Sequence, residues 1–204
     1  MSFKFALSKY IKSPESIDKD QMLYYDDEFV VIKDLFPKAK YHYLLLPRSK
    51  DITLQNPLLQ FNSKNLKFEQ YRGKIQSLLD KFKSEILINL KLEYEGIDDN
   101  FVKYGVHAVP SLNNLHIHII SQDFQSVRLK NRHHYNSFVT EFFVEFKDLP
   151  LEKNDHRLNT TKMEYNCKND DLICPYCDEN FKNKFAKFKI HLKEEFENNY
   201  PSKT

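Results

Sequence analysis

The chain has no tryptophan and only three glycines, Gly73, Gly96 and Gly105, set far apart. Glycine-cradled phosphate loops and dinucleotide fingerprints need clustered glycines, so both are excluded. Cysteine is scarce as well. Of the three, two stand in Cys174-Pro175-Tyr176-Cys177, a spacing that suits a metal in a reducing compartment and not a disulfide framework. Long apolar runs are missing: the longest, such as Tyr41 to Pro47, cover a few residues, against about 20 for a membrane helix, so no membrane span is expected. The N-terminal segment spreads lysines through its apolar stretch and ends in no small-residue cleavage site, so it is not a secretory signal and the cell interior is the expected address. Charge of one sign is not in excess either. With 31 Lys and Arg against 29 Asp and Glu, the net charge is +2, and any nucleic-acid contact must come from local clustering.

What is present suffices for a folded protein. In 204 residues, 41% are hydrophobic and 14% aromatic, enough for one domain of ordinary size and a small appendage. Short strand patterns run over Met22 to Tyr25, Phe29 to Lys33 and Tyr41 to Leu46, with two more over Phe101 to Ala108 and Leu115 to Ser121. Between Asn65 and Leu87, Phe68, Tyr71, Ile75, Leu78, Leu79, Phe82 and Ile86 recur at three and four, one face of a long helix. A sheet with a packed helix is an α+β core. The expected division is a catalytic domain over 1–147, a polar connector over 148–170 and a separate small unit over 171–204.

The most informative stretch is Asn114-Leu115-His116-Ile117-His118-Ile119-Ile120. On a strand, alternate side chains share a face, so His116 and His118 project together while Leu115, Ile117 and Ile119 enter the core. A surface strand or a His-x-His metal pair would show the same alternation. His42 and His107 favour a third arrangement, since adjacent antiparallel strands would bring four imidazoles to one mouth. Such a cluster can supply a nucleophile, a proton donor and a stabiliser for a phosphate.

The segment from His107 to Phe124 resembles the histidine-triad motif of nucleotide hydrolases and transferases. Together with Phe36-Pro37-Lys38-Ala39-Lys40-Tyr41-His42, Ser121-Gln122-Asp123-Phe124 and the stretch Leu129 to Phe138, it resembles the aprataxin branch of that family, over most of the chain. The resemblance implies a histidine-triad fold and a DNA-repair hydrolase that removes AMP from 5′-adenylated nicked or double-stranded DNA, through an adenylyl-histidine. It places the nucleophile on His116 and the third histidine on His118. Asn114 stands where the family has its first histidine and is expected to support the site by hydrogen bonding. His107 and His42 would stabilise developing charge or assist leaving-group protonation. Lys38, Lys40, Ser111 and Asn114 would meet the substrate, and Leu23, Phe29 and Phe36 would line the nucleotide pocket. No catalytic metal is expected, AMP is the expected product, and the implied state is a monomer in the nucleus, with the cytoplasm as a second address. Two alternatives stay open: a general histidine-triad hydrolase of free dinucleotides or AMP conjugates, and a non-catalytic zinc-dependent nucleic-acid-binding protein.

Ser126 to Tyr135 carries Arg128, Lys130 and Arg132 with no acid, so Arg128, Lys130 and His134 are candidate DNA contacts and Tyr135 a stacking face. Cys174 and Cys177 are followed by His191 and, four positions on, Glu195. Phe181, Phe185, Phe188 and Leu192 keep helical spacing, so His191 and Glu195 share a face and close a zinc-ligand set of two thiolates, an imidazole and a carboxylate. Glu194 and Cys167 are the alternatives for the fourth ligand. Lys182, Lys184, Lys187, Lys189 and Lys193 along this helix suit a grip on duplex backbone, with no base reading.

Overall fold

The structure, a computed structural model, describes residues 3–54, 56–61 and 66–203. Six antiparallel strands form one sheet in the order β1-β2-β3-β5-β4-β6. They are β1 (Met22–Tyr25), β2 (Phe29–Lys33), β3 (His42–Pro47), β4 (Val102–His107), β5 (Ile117–Ser121) and β6 (Phe143–Glu145). Strands β2, β3 and β5 read as almost unbroken apolar runs because both faces of the sheet are covered.

The helices are α1 (Ser8–Lys12), the short α2 (Lys50–Thr53) and α3 (Pro57–Gln60), the long α4 (Leu66–Glu93), then α5 (Arg132–Val139), α6 (Thr160–Asn169) and α7 (Phe185–Asn199). One sheet face packs on α4, whose Ile75, Leu79, Phe82 and Ile86 meet Val31, Tyr43, Leu45, Ile117 and Ile119. The Phe68 side chain expected on this helix lies outside the described residues. The helix continues two turns past the expected end at Leu87.

The opposite sheet face is covered twice. Leu7, Tyr10 and Ile11 of the N-terminal segment lie over Val30, Ile32, Leu44 and Leu46. Toward β5 and β4, Tyr135 and Phe138 of α5 join Ile120, Phe124, Leu129 and Phe143. A gap remains between these two covers, over the middle of β3, β5 and β4.

Two expectations about the C-terminal third change here. The stretch 148–170, read as a polar connector, contains α6, which packs on α5 and buries Met163 and Cys167 in the main core. The block from Asp171 onward is not a separate unit. Leu172, Cys174, Phe188 and Leu192 complete the core beneath α5, while Phe196 packs against Tyr94 and Phe101 with ring centroids 5.1 and 6.0 Å apart. Tyr176 Oη donates to the Gln122 carbonyl and Gln125 Nε2 to that of Leu192. Each buried large apolar side chain of α7 contributes roughly 1.5–3 kcal/mol, and that stabilisation is shared with the sheet domain.

Candidate active site and metal centre

Strand alternation sends Tyr43 and Leu45 of β3 toward α4 and leaves His42 facing the gap. On β5, Ile117 and Ile119 enter the core while His118 faces the gap, with His116 one step before the strand on the same side. His107 ends β4, and Gly105 on that strand is paired with His118. A side chain at Gly105 would meet the Val144 carbonyl oxygen at 2.3 Å, so only glycine lets β6 close against β4 beside the site. All four imidazoles line a single cavity of about 620 Å³. The ring centroids of His107 and His116 lie 4.3 and 4.9 Å from that of His118, and His42 lies 5.1 Å away. The Phe138 ring lies about 5 Å from His42, His107 and His118 (5.3, 4.8 and 5.2 Å).

The hydrogen bonds set the tautomers. His116 Nδ1 lies 2.7 Å from the Asn114 carbonyl oxygen, an acceptor only, so the proton sits on Nδ1 and the Nε2 lone pair is free. The Lys38 amide donates to His42 Nδ1 at 3.2 Å, which places the His42 proton on Nε2, 2.8 Å from His118 Nδ1. His118 in turn carries its proton on Nε2, a buried atom with no hydrogen-bond partner. The relay ends in an unused donor, and His107 Nε2 is likewise unpartnered. Asp34 approaches His42 Nδ1 at 3.3 Å, but the bond of good geometry there is the one from the Lys38 amide. Burial holds His42 down to about 4 and pushes His116 below, and His107 and His118 well below, the ordinary imidazole value. Neutral rings at physiological pH follow, as the tautomer assignment requires.

Asn114 is buried and acts from beneath: Ser8 Oγ donates to its Oδ1 at 2.9 Å and its Nδ2 donates to Thr53 Oγ1 at 3.2 Å. Lys38, Ser111, Arg128, Lys130 and His134 line the cavity, as does Phe36, over whose ring the Arg128 guanidinium sits at 5.6 Å. Desolvation lowers the Lys38 ammonium.

Several expected contacts are elsewhere. Lys40 points away and pairs with Glu93 and the Tyr94 hydroxyl. Tyr135 is no stacking face: it is 1% exposed, wedged between Phe124 and Phe188, and its hydroxyl donates to the Ile173 carbonyl. Leu23 and Phe29 belong to the α4 side of the sheet. In return, the structure adds Lys9, Tyr10, Asp34 and His133 to the cavity wall. His133 stood beside His134 in the basic segment, a visible signal. Lys9 and Tyr10 come from a segment about a hundred residues distant from the histidine strand, and their arrival at the cavity is decided by the fold.

Beyond α5, the ligand atoms of Cys174, Cys177 and His191 lie within 4.8 Å of one another, with Cys177 Sγ 3.2 Å from His191 Nε2. Tetrahedral zinc bonds of about 2.3 Å to sulfur and about 2.0 Å to nitrogen put a sulfur and a nitrogen ligand roughly 3.5 Å apart, and the 3.2 Å between Cys177 Sγ and His191 Nε2 suits such an ion. Glu195, one turn beyond His191, stands outside that group in this structure, and Glu179 Oε2 approaches His191 Nδ1 at 3.9 Å. Cys167 is not the fourth ligand: it is buried in the core with its thiol toward the His133 carbonyl. Asp34, His42 and His118 form a second group with close ligand atoms, in which the two facing imidazole nitrogens are hydrogen-bonded to each other. Lys182, Lys184, Lys187 and Lys193 are exposed, whereas Lys189 turns inward. Among the described residues, no helix is long and apolar enough to cross a membrane.

Residues 6–134 match the family model described as scavenger mRNA decapping enzyme C-term binding, and residues 139–198 match the C2HE / C2H2 / C2HC zinc-binding finger. The chain is 39% identical to an aprataxin-like protein of Saccharomyces cerevisiae over the full length of both. It is 38% identical to an aprataxin-like protein of Schizosaccharomyces pombe, covering 96% of this chain and 82% of that one. Among solved structures, the aprataxin ortholog Hnt3 in complex with DNA superposes with a TM-score of 0.76 at 36% identity, over 97% of this chain and 96% of the other.

Proposed function

The chain belongs to the aprataxin family of histidine-triad proteins, and from that premise we propose that it is a DNA-repair hydrolase releasing AMP from 5′-adenylated DNA ends. The observation that carries the reading is the His116 Nδ1 contact with the Asn114 carbonyl at 2.7 Å, which leaves Nε2 as a lone pair in the cavity. In the first step Nε2 attacks the adenylate phosphorus. A P–N bond forms, the P–O bond to the DNA 5′-phosphate breaks, and the electron pair leaves on that phosphate. A 5′-phosphate is a good leaving group, so the barrier lies mainly in the charge gathered on the phosphoryl oxygens. His118 Nε2–H, aimed by the Lys38–His42 relay, donates to one such oxygen and Lys38 adds positive charge, while Arg128 and Lys130 at the mouth hold the substrate's phosphates. The Asn114 carbonyl meanwhile stabilises the positive ring of the adenylyl-histidine through the Nδ1 proton. Water then attacks phosphorus and gives up a proton to solvent, the P–N bond breaks with its electron pair returning to Nε2, and AMP leaves with His116 neutral again.

Cys174, Cys177 and His191, with Glu195 as fourth ligand, would hold a structural zinc ion, supplying cross-linking and no chemistry. The exposed lysines of α7 would rest on duplex phosphates, in keeping with the DNA complex formed by Hnt3. The reading implies a monomer working where nuclear DNA is ligated.

The test follows AMP release from 5′-adenylated nicked DNA and from a free dinucleotide, with mass analysis of quenched protein. Preferred turnover of the DNA, an adenylyl group on His116, and a loss of at least about 10⁴-fold in His116→Ala are expected. Equal or better turnover of the free dinucleotide would favour a general nucleotide hydrolase, and DNA binding with no AMP release would leave a binding protein.

A further inference from the structure

Arg128 and Lys130, basic residues of the cavity lining, sit on the loop between β5 and α5, where Leu129 is buried in one cluster with Tyr135 and Phe138 and the Lys130 amide donates to His134 Nδ1 at 3.2 Å. Within the loop, the Leu129 amide donates to the Ser126 carbonyl at 3.1 Å and the Arg128 amide to Ser126 Oγ at 3.0 Å, a tight turn around one serine. Further support comes from a different part of the chain. Lys189, on α7 of the finger, sends its ammonium back under the loop and donates to the Ser126 carbonyl at 3.0 Å and the Leu129 carbonyl at 2.8 Å. It is the one lysine of this helix that turns inward. We propose that Lys189 is a positioning residue for the phosphate wall of the active site, clamping the Ser126–Leu129 turn so that Arg128 and Lys130 face the cavity.

The clamp deepens the proposed function and rests on it: a side chain of the finger helps shape the pocket and makes no DNA contact itself. Charge-assisted bonds to two carbonyls at opposite ends of one turn constrain it as neither bond would alone. The turn in turn holds Arg128 over Phe36, at the opposite wall of the mouth. Misplacing two cations by an ångström weakens binding of the phosphates in ground and transition states alike, so the loss is expected in KM more than in kcat.

The experiment compares wild type, Lys189→Met, Lys189→Arg and, as a surface control, the exposed Lys187→Met. Substrates are 5′-adenylated nicked DNA and an adenylated mononucleotide with no duplex. The clamp predicts that Lys189→Met raises KM about tenfold on both substrates with kcat little changed, that Lys189→Arg recovers most of the loss, and that zinc content is unaltered. Lys187→Met should weaken only the DNA substrate and reduce the salt slope of duplex binding by about one unit, a slope Lys189→Met leaves unchanged. A loss confined to DNA in Lys189→Met would make it a phosphate contact and overturn the proposal, and loss of zinc would make it a structural residue and do the same. Hydrogen exchange at the Arg128 and Leu129 amides needs no turnover. Faster exchange in Lys189→Met supports the clamp even if the chain releases no AMP, in which case only the hydrolase reading fails, and unchanged exchange overturns the clamp.

Discussion

The histidine pocket and the zinc finger are ordered by different physical means. In the pocket, a relay of hydrogen bonds runs from the Lys38 amide through His42 to His118, and His116 is held by the Asn114 carbonyl. The finger's donors are placed mainly by packing: His191 lies against Phe181 with centroids 4.7 Å apart, and Phe188 and Leu192 anchor the same helix in the core under α5. The difference teaches where each region is vulnerable. Damage in the pocket is a matter of one misplaced proton and stays local. Damage in the finger is mechanical and spreads, because the apolar side chains that hold it also hold the face of the sheet domain.

The sharpest way to test the local half of this contrast is His118→Phe, which keeps a ring of similar size and removes the Nε2–H donor together with the Nδ1 acceptor of the His42 bond. Loss of one donor aimed at developing charge costs about 10²–10³ in turnover. Rates of AMP release should fall by that amount while duplex affinity holds nearly constant and stability falls by no more than about 1–3 kcal/mol, the cost of the orphaned His42 donor. A large drop in stability instead would mean that the relay is a structural element.

The other half is tested by Cys174→Ser, or by chelating the metal. Because Cys174, Leu172, Phe188 and Leu192 share a core with Phe124, Tyr135 and Phe138, the whole chain should unfold in one transition weakened by about 3 kcal/mol or more. Denaturant titration followed by aromatic fluorescence reads this directly. Two separate transitions, with the histidine domain's midpoint unmoved, would break the comparison and restore an independent finger.

How much of this was legible in the sequence depends on whether a residue's role is local. Alternation around His116 and His118 exposed their shared face, because a strand's period is short and each partner lies two residues away. His42 and His107 were legible for the same reason, each on a recognisable strand. Helix α6 was hidden because its sequence, Thr160 to Asn169, is almost wholly polar and buries only Met163 and Cys167, one turn apart. Tyr135 was misread because its chain neighbours are basic, while its fate is decided by Phe188, more than fifty residues on. Lys40 was misread likewise, its partner Glu93 lying at the end of α4. Asp34 lies just after β2, and only the pairing of β2 with β3 brings it to His42.

Acid should act on the pocket through its buried imidazoles. His42 is held down to about 4 by burial and its buried neighbours lower still than usual, whereas in the unfolded chain each takes its proton near 6.5. Between these values the unfolded state binds more protons, so stability is complete above about pH 6.5 and falls as the pH drops toward 4. His42 alone accounts for about 3 kcal/mol over that window. Denaturation midpoints at pH 7, 5.5 and 4.5 should decline in step, and His42→Phe should flatten the curve. A wild-type profile with no decline between pH 7 and 4.5 would show that the rings are protonated in the folded state.

The smallest expected effect is at Asn114, and it separates what a backbone does from what a side chain does. The group that holds the His116 proton is the Asn114 carbonyl, which Asn114→Ala retains. What the substitution removes is the amide that joins Ser8 of α1 to Thr53 of α2, one part-buried and one buried hydrogen bond worth about 1–2 kcal/mol in all. Stability should fall by that amount, and turnover by no more than about tenfold, through a looser loop. Since a histidine occupies this place in the family's motif, the same logic predicts that Asn114→His gains no rate from its imidazole. A loss in Asn114→Ala as large as that of His118→Phe would mean that the amide itself reaches the reacting atoms, and the division of labour drawn for the pocket would have to be redrawn around it.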